Sequence, residues 1–403
     1  MYTKNLKRIL SLASVLIMLF FCVFYEYNAF AEDTFFAPTG YSYDELEEIA
    51  SEYDYTNLSD EYAFDMFDLG EGIGTVDGFC VSDAFIYISD HKMSRIHVYD
   101  KALNKVYTIR HGAKDELHFD PRGLFSNADG HLFVITDMDN ITGIGQVIEY
   151  DTAHEYVNET NYCFVINDEH TMASDVLVLE IGSIFFTVKS DIKKDGKIYE
   201  IMEDGKIRGI GNDSFGRLCQ SVQGDEAIFV NSSYCPMNNE GQRGIPAIYR
   251  IKDMQVTNVQ KLPPFVRITA SEEEKKQVSK ILAQSDISVP PNYIDNLAYE
   301  LNAALGFGDI AKFSDEYYVL VQQTAAILVF DADFSYRRTI PIAIDAEWDM
   351  IEKSKRAIDD DYRFYKAWQL DVDSTGDLYM LVSRISQQNR TTEWQLVRGV
   401  KKP

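Results

Sequence analysis

Asp137-Met138-Asp139-Asn140 sets three oxygen-bearing side chains into one short segment, ahead of Ile141-Thr142-Gly143-Ile144-Gly145. Asp137, Asp139 and Asn140 are therefore the candidate ligands for a hard cation such as Ca²⁺, although the same residue types also make an ordinary turn. Asp371-Val372-Asp373-Ser374-Thr375-Gly376 opens like a calcium loop. The glutamate such a loop needs at its twelfth position is replaced by Val382 inside an apolar run, so the segment is read as a hairpin. Glu180, Asn231 and Asp309 are residue types that suit a divalent ion near strand ends, but no motif selects them. The 7 histidines are His91, His97, His111, His118, His131, His154 and His170, and none has the helical spacing of a zinc site. There is no G-x-S-x-G nucleophile elbow, and Gly70-Glu71-Gly72-Ile73-Gly74 lacks the Lys-Ser/Thr of a phosphate loop. No catalytic or cofactor-binding residue is predicted.

Cys80, Cys163, Cys219 and Cys235 lie beyond the leader described below, with no C-x-x-C spacing and every pairing open. Cys80 and Cys219 fall in apolar strand patterns and read as buried thiols. Most of the 25 Tyr and 24 Phe also fall in strand patterns and read as core. Tyr293, Tyr362 and Tyr365 fall in insertions instead and are the candidates for a binding surface.

The first 31 residues read as a signal peptide. Lys4, Lys7 and Arg8 precede the uncharged apolar run Ile9–Tyr25, and Ala29-Phe30-Ala31 is a small-x-small cleavage site. An uncleaved anchor is the alternative. Export predicts a secreted or cell-envelope location. The net charge of −26 repels phosphate backbones and anionic lipid, which argues against nucleic-acid and membrane-surface partners.

The elements that must position these residues are strands. A strand pair recurs six times in the chain: 86–90 with 95–100, 132–137 with 146–151, 184–188 with 197–201, 227–231 with 247–251, 317–321 with 326–331, and 378–382 with 393–397. The first member is nearly continuous apolar and the second tends to alternate, often ending in Asp. Shorter runs flank each pair, giving four strands per unit at a spacing of about 44 to 52 residues where the repeat is regular. This is the pattern of an all-β, six-bladed β-propeller of four-stranded antiparallel blades, spanning residues 61–403 after a helical and linker segment at 32–60. Helical insertions are predicted near 268–308 and 346–366, the first opening with a helix over 270–284 and continuing through 292–305. A short helix is predicted over 42–53. Tyr62-Ala63-Phe64-Asp65-Met66-Phe67 alternates and is predicted to close the last blade by pairing with residues 394–397.

Phe119-Asp120-Pro121-Arg122-Gly123-Leu124, followed by Ala128-Asp129-Gly130-His131-Leu132-Phe133-Val134, resembles an NHL repeat. The hairpin recurs as Asp373-Ser374-Thr375-Gly376-Asp377-Leu378-Tyr379, and Ser89-Asp90-His91 to Arg95-Ile96 resembles the same family's link into its third strand. The resemblance implies the propeller fold and, as such propellers generally serve in interactions, a protein-binding role. The leading expectation is an exported, non-catalytic scaffold for a protein or envelope component. The alternatives are a metal-dependent lactonase- or lyase-like propeller, and a carbohydrate-binding propeller beside a sugar-uptake system.

Overall fold

The computed structural model describes residues 48–53, 59–70, 72–110, 119–137, 144–163, 171–190, 196–202, 204–210, 216–230, 246–263, 266–269, 272–283, 298–301, 307–321, 326–342, 363–386 and 391–402. Its strands form six four-stranded antiparallel blades. Blade 1 is β2 (Val76–Val81), β3 (Phe85–Asp90), β4 (Arg95–Asp100) and β5 (Lys105–Ile109). Blade 2 is β6 (Pro121–Ser126), β7 (Leu132–Thr136), β8 (Ile144–Tyr150) and β9 (Tyr156–Cys163). Blade 3 is β10 (Thr171–Val178), β11 (Ile184–Ser190), β12 (Gly196–Ile201) and β13 (Ile207–Ile210). Blade 4 is β14 (Arg217–Gln220), β15 (Ala227–Val230), β16 (Ala247–Lys252) and β17 (Gln255–Lys261). After β18 (Val266–Thr269) and β19 (Ala298–Leu301), blade 5 is β20 (Phe307–Phe313), β21 (Glu316–Val321), β22 (Ala326–Asp331) and β23 (Tyr336–Pro341). Blade 6 joins β24 (Arg363–Val372), β25 (Leu378–Ser386) and β26 (Thr391–Lys401) to β1 (Tyr62–Asp68).

The apolar second strands are buried because both of their faces meet a neighbouring blade. Ile86, Ile88, Leu132, Val134, Phe186, Ile228, Val319 and Met380 are buried on this plan. Large rings fill the wedge between sheets, as where Tyr162 of blade 2 lies 4.7 Å from Phe186 of blade 3. Each sheet thus supplies half of two cores and needs none of its own.

The aspartates that end the third strands cap the turns into the fourth. Asp100, Asp151 and Asp331 each accept a backbone N–H four residues on, from Asn104, Glu155 and Ser335, at 2.8–2.9 Å. Each turn holds a left-handed residue that is not glycine: Leu103 (φ 66°), His154 (φ 64°) and Phe334 (φ 63°). Their side chains reach the preceding blade: Leu103 packs with Tyr379 and Leu381, His154 against Phe85, and Phe334 under Arg250. The Asp129-Gly130 hairpin has the positive φ that its glycine permits, 80° at Gly130.

The ring closes through residues 62–67 as predicted, but the partner strand reaches beyond the expected 394–397. β1 pairs antiparallel with β26, from Tyr62 opposite Lys401 to Asp68 opposite Gln395. Tyr62 is buried between blades 5 and 6, and its hydroxyl donates to Gly376 O at 3.1 Å. Upstream, a helical turn at 48–51 sets Ile49 and Tyr53 into the seam between blades 4 and 5, against Phe330 and with the Tyr53 hydroxyl donating to Lys261 O.

The insertions differ from expectation. Helix α1 (Glu272–Leu282) forms as predicted. Residues 298–301, expected to be helical, are instead strand β19, paired with β18 from Val266 opposite Leu301 to Thr269 opposite Ala298. A short apolar run has no decisive period, and the β-branched Val266, Ile268 and Thr269 offer it a ladder. Residues 363–366, assigned to the second insertion, extend β24. The remainder of that insertion lies outside the described residues.

Truncating Tyr62 to alanine removes an aromatic side chain from the closing interface and should lower stability by about 3–5 kcal/mol. Ala63→Ser, on the exposed face of the same strand, should stay within about 0.5 kcal/mol of wild type. Urea denaturation of the two variants checks this; equal effects contradict the closure.

Candidate functional site

Polar residues interrupt the first strands where they approach the propeller axis. The ladder slips between Val76 and Phe79, Pro121 and Leu124, Ala173 and Asp175, Phe307 and Asp309, and Ala367 and Gln369. These bulges hold Asp77-Gly78, Arg122-Gly123, Ser174-Asp175, Gly308-Asp309 and Trp368-Gln369, while Arg217 opens β14. The two glycines of blades 1 and 2 let backbones touch. A Cβ at Gly78 would lie 2.1 Å from Arg122 O, and one at Gly123 would lie 2.5 Å from Asp175 Cα.

Arg217 bridges the axis. Its Nη1 donates to Ser174 O at 2.9 Å and lies 3.7 Å from Asp175 Oδ1, while Nη2 donates to Asp77 O at 3.4 Å in the opposite blade. Gln369 Nε2 donates to the same Asp77 carbonyl at 3.1 Å. Three carboxylates, Asp175 and Asp309 buried and Asp371 half-buried, are spent on the next blade's backbone. Asp175 accepts from Leu218 N–H at 2.8 Å, Asp309 from Leu370 N–H at 3.0 Å and Asp371 from Val81 N–H at 2.7 Å. Burial pushes the Asp309 carboxyl well up, with the Asp175 charge adding and Arg217 opposing. Burial likewise raises Asp175 against the pull of Arg217, and raises Asp371 to about 6 against its two N–H donors and Lys101.

A second cluster lies between blades 1 and 2, at the end where the first strands begin. Arg122, buried, has Nη1 2.5 Å from Asp77 Oδ2, and Nη2 3.1 Å from both Asp120 Oδ2 and Asp137 Oδ2. His91 Nδ1 lies 2.8 Å from the same Asp77 oxygen. Burial works against the Arg122 charge, and the three carboxylates outweigh it and raise its pKa. Asp120 is raised, chiefly by burial, with Asp137 adding and Arg122 opposing. Beside this cluster, Asp90 Oδ2 accepts from Gly74 N–H at 2.9 Å and lies 3.4 Å from His97 Nε2. Burial opposes the Asp90 charge, but His97 and the Gly74 and Met93 N–H groups outweigh it and hold the carboxyl below its usual range. Burial depresses His97, and the Lys105 and Arg95 charges add to this against the Asp90 hydrogen bond.

The structure therefore places Asp137 beside a guanidinium. Asp139, Asn140, Tyr293 and Tyr362 lie outside the described residues, as do Asn231 and Cys235. Tyr365 lies in β24. Asp309 and Glu180 are not brought together: Asp309 lies at the axis, while Glu180 follows β10 in the hairpin whose Leu179 accepts from Gly182 N–H. The loop at Asp373 is a hairpin, with Asp373 Oδ1 accepting from the Thr375 and Asp377 N–H groups at 3.0 and 3.1 Å. Cys80 and Cys219 are buried free thiols in blades 1 and 4. Among the described residues no group of three or more His, Cys, Asp or Glu is placed to hold a metal ion, and no helix is long and apolar enough to cross a membrane. A positively charged guanidinium stands among the carboxylates that a divalent cation would need, so these residues do not suit one.

The family model described as major royal jelly protein matches residues 75–153, which hold most of blades 1 and 2. No curated protein matches the sequence. Among solved structures, a luciferin-regenerating enzyme is 12% identical, covering 84% of this chain and 95% of that one, with a TM-score of 0.48. A putative gluconolactonase is 11% identical over 88% of this chain and 99% of that one, at 0.47. Virginiamycin B lyase from Staphylococcus aureus is 13% identical over 85% and 100%, at 0.43. These are likenesses of fold, and no chemistry is carried over from them.

Replacing Arg122 with methionine should leave Asp77, Asp120 and Asp137 uncompensated and cost about 3–5 kcal/mol at neutral pH. Protonation relieves the repulsion among the freed carboxylates, so the deficit against wild type should shrink as pH falls toward about 4. A deficit that does not change with pH contradicts the assignment of Arg122 as the cluster's cation.

A pH effect follows from His97 and Asp90. Each has a folded pKa below its unfolded one, so the unfolded chain binds more protons and stability falls as pH drops. The loss from His97 begins near the unfolded histidine pKa of about 6.5, and that from Asp90 near about 3.9. His154, also depressed by burial, adds to the first window. The raised carboxyls of Asp175, Asp309 and Asp371 act in the opposite direction, so the His97 effect is read as a difference: between about pH 7 and 5 the urea midpoint of His97→Gln should gain stability relative to wild type. Parallel profiles of the two proteins contradict this.

Proposed function

We propose that the chain is an exported, non-catalytic propeller that serves as a binding scaffold for a protein or a component of the cell envelope. The observation that carries this reading is the commitment of the axial acids to internal donors. Asp175, Asp309 and Asp371 serve backbone N–H groups of the next blade, and Asp77, Asp120 and Asp137 serve Arg122. A metal-dependent lactonase- or lyase-like propeller needs carboxylates turned toward an ion in the channel. The charge, apolar run and small-x-small site of residues 1–31 support export. The NHL-like turns of blades 1 and 2 support an interaction role.

Thermal unfolding of the full chain with Ca²⁺, Zn²⁺, EDTA and a panel of lactones and sugars tests this. A ligand at a hundred times its Kd adds about 2.7 kcal/mol, a shift of about 2 °C or more for a domain of this size. The scaffold reading predicts no shift with metals or lactones, and covalent capture of a partner by photo-crosslinking in the cell envelope. A metal-dependent rise reversed by EDTA sinks it.

A further inference from the structure

Several basic residues on the outer part of the blades pair with acids among the described residues. In blade 5, Arg337 pairs with Asp331, and Arg338 with Glu61 and Glu316. In blade 3, Arg208 pairs with Glu200, and Lys206 in the preceding turn with Asp204. On the third strand of blade 4, Arg250 and Lys252 share Glu226. On blade 1, Lys105 and Arg110 form no ion pair among the described residues, and both are exposed. This occurs in a chain with 64 acidic and 38 basic residues, where acids outnumber bases and a counter-ion is easily supplied.

The register puts these charges on one side of the blade. Ile96 opposes Ile109, His97 opposes Thr108 and Tyr99 opposes Lys105. Arg95 and Arg110 flank the Ile96–Ile109 pair, so they meet at one end of the β4–β5 ladder, and Lys105 stands at the other. Arg95 is 3.5 Å from Asp90 Oδ2, a carboxylate already shared with His97 and with the Gly74, Thr75 and Met93 N–H groups. Burial first, and then the Arg95 and Arg110 charges, lower the Lys105 pKa, with Asp90 opposing. Next to them, Val106 and Tyr107 are exposed to 49% and 51%, and Tyr107 is stacked on His154 at 5.3 Å, which fixes its ring. A lysine on an edge strand is by itself a guard against self-pairing. The second exposed cation Arg110 and an adjoining apolar pair exceed that need, while Arg95 beside them is largely buried and bonded to Asp90 and Gly72 O.

We propose that the outer edge of blade 1, Lys105 and Arg110 with Val106 and Tyr107, is a docking surface for an acidic peptide segment of a partner protein. Carboxylates of that segment supply the counter-charge the blade lacks, and its apolar side chains cover Val106 and Tyr107. β5 is the open edge of its sheet, so an extended segment can lie along it. The inference deepens the scaffold reading by naming a surface and the chemistry of its partner.

The test is fluorescence anisotropy of the full chain with a short labelled peptide of alternating glutamate and tyrosine, and with its glutamine–tyrosine counterpart. At about 0.15 M salt the Debye length is about 8 Å, so distant acids of the chain are screened while contacts at the patch are not. The glutamate peptide should bind wild type, and Lys105→Glu/Arg110→Glu should bind it at least about tenfold more weakly. Lys206→Glu, which alters an exposed and paired lysine on blade 3, should bind like wild type. Both substituted positions of the double variant are exposed, and an unfolding temperature equal to wild type shows that its fold is kept. Wild type that ignores the glutamate peptide, binds the glutamine peptide equally, or binds dextran sulfate in preference overturns the proposal, as does a double variant of unchanged affinity. A double variant that loses the peptide yet still captures a partner in cells by crosslinking removes this surface and leaves the scaffold reading standing.

Discussion

A carboxylate in one blade, buried or half-buried, that accepts a backbone N–H from the next is the interaction on which the centre of this propeller depends. First strands of neighbouring blades diverge from the axis, so their own ladders cannot join them. Asp175, Asp309 and Asp371 supply that link at the blade 3–4, 5–6 and 6–1 junctions. Where no acid does so, between blades 1 and 2, Gly78 allows direct contact with the Arg122 backbone, and Ser89 Oγ donates to Arg122 O at 2.7 Å. Desolvation makes such acids costly, and their donors, with Arg217 across the axis, offset that cost. The same bonds fix the chemistry of the channel, because an oxygen that serves the neighbouring blade is not free for a ligand.

The outer wall is held differently. Apolar wedges carry most of the burial, and the left-handed turn residues Leu103, His154 and Phe334 extend each wedge onto the preceding blade. Closure needs β1, and residues 48–53 seal the seam between blades 4 and 5 with Ile49 and Tyr53. One amino-terminal stretch thereby ties together blades 4, 5 and 6, with Ser59 N–H bonded to Thr339 O on the way. The wall of blade 1 carries no such cover among the described residues, and there the unpaired cations and Tyr107 are found.

The fold was legible because its signals are local and repeated. Strand pairs, the Asp at the third-strand end and the Asp-Gly turns each have a physical role that the structure shows. The axial chemistry was not, because Asp77, Arg122, Asp175, Arg217, Asp309 and Gln369 are isolated in sequence and no motif joins them. A signal existed: they recur at one place in every repeat, where a wholly buried strand should hold none. Reading Asp137 from its own segment missed Arg122, fifteen positions away in sequence but 3.1 Å away in space. The same locality misassigned residues 298–301, whose strand form depends on a partner some thirty residues upstream.

The most direct measurement is native-state hydrogen exchange of the Val81, Leu218 and Leu370 amides. If carboxylates of the preceding blade hold them, these three should exchange only through global unfolding, among the slowest amides of the chain. Exchange at the rate of open edge-strand amides such as those of β5 would show that the acids are not committed to the backbone, and would return them to the channel as free ligands.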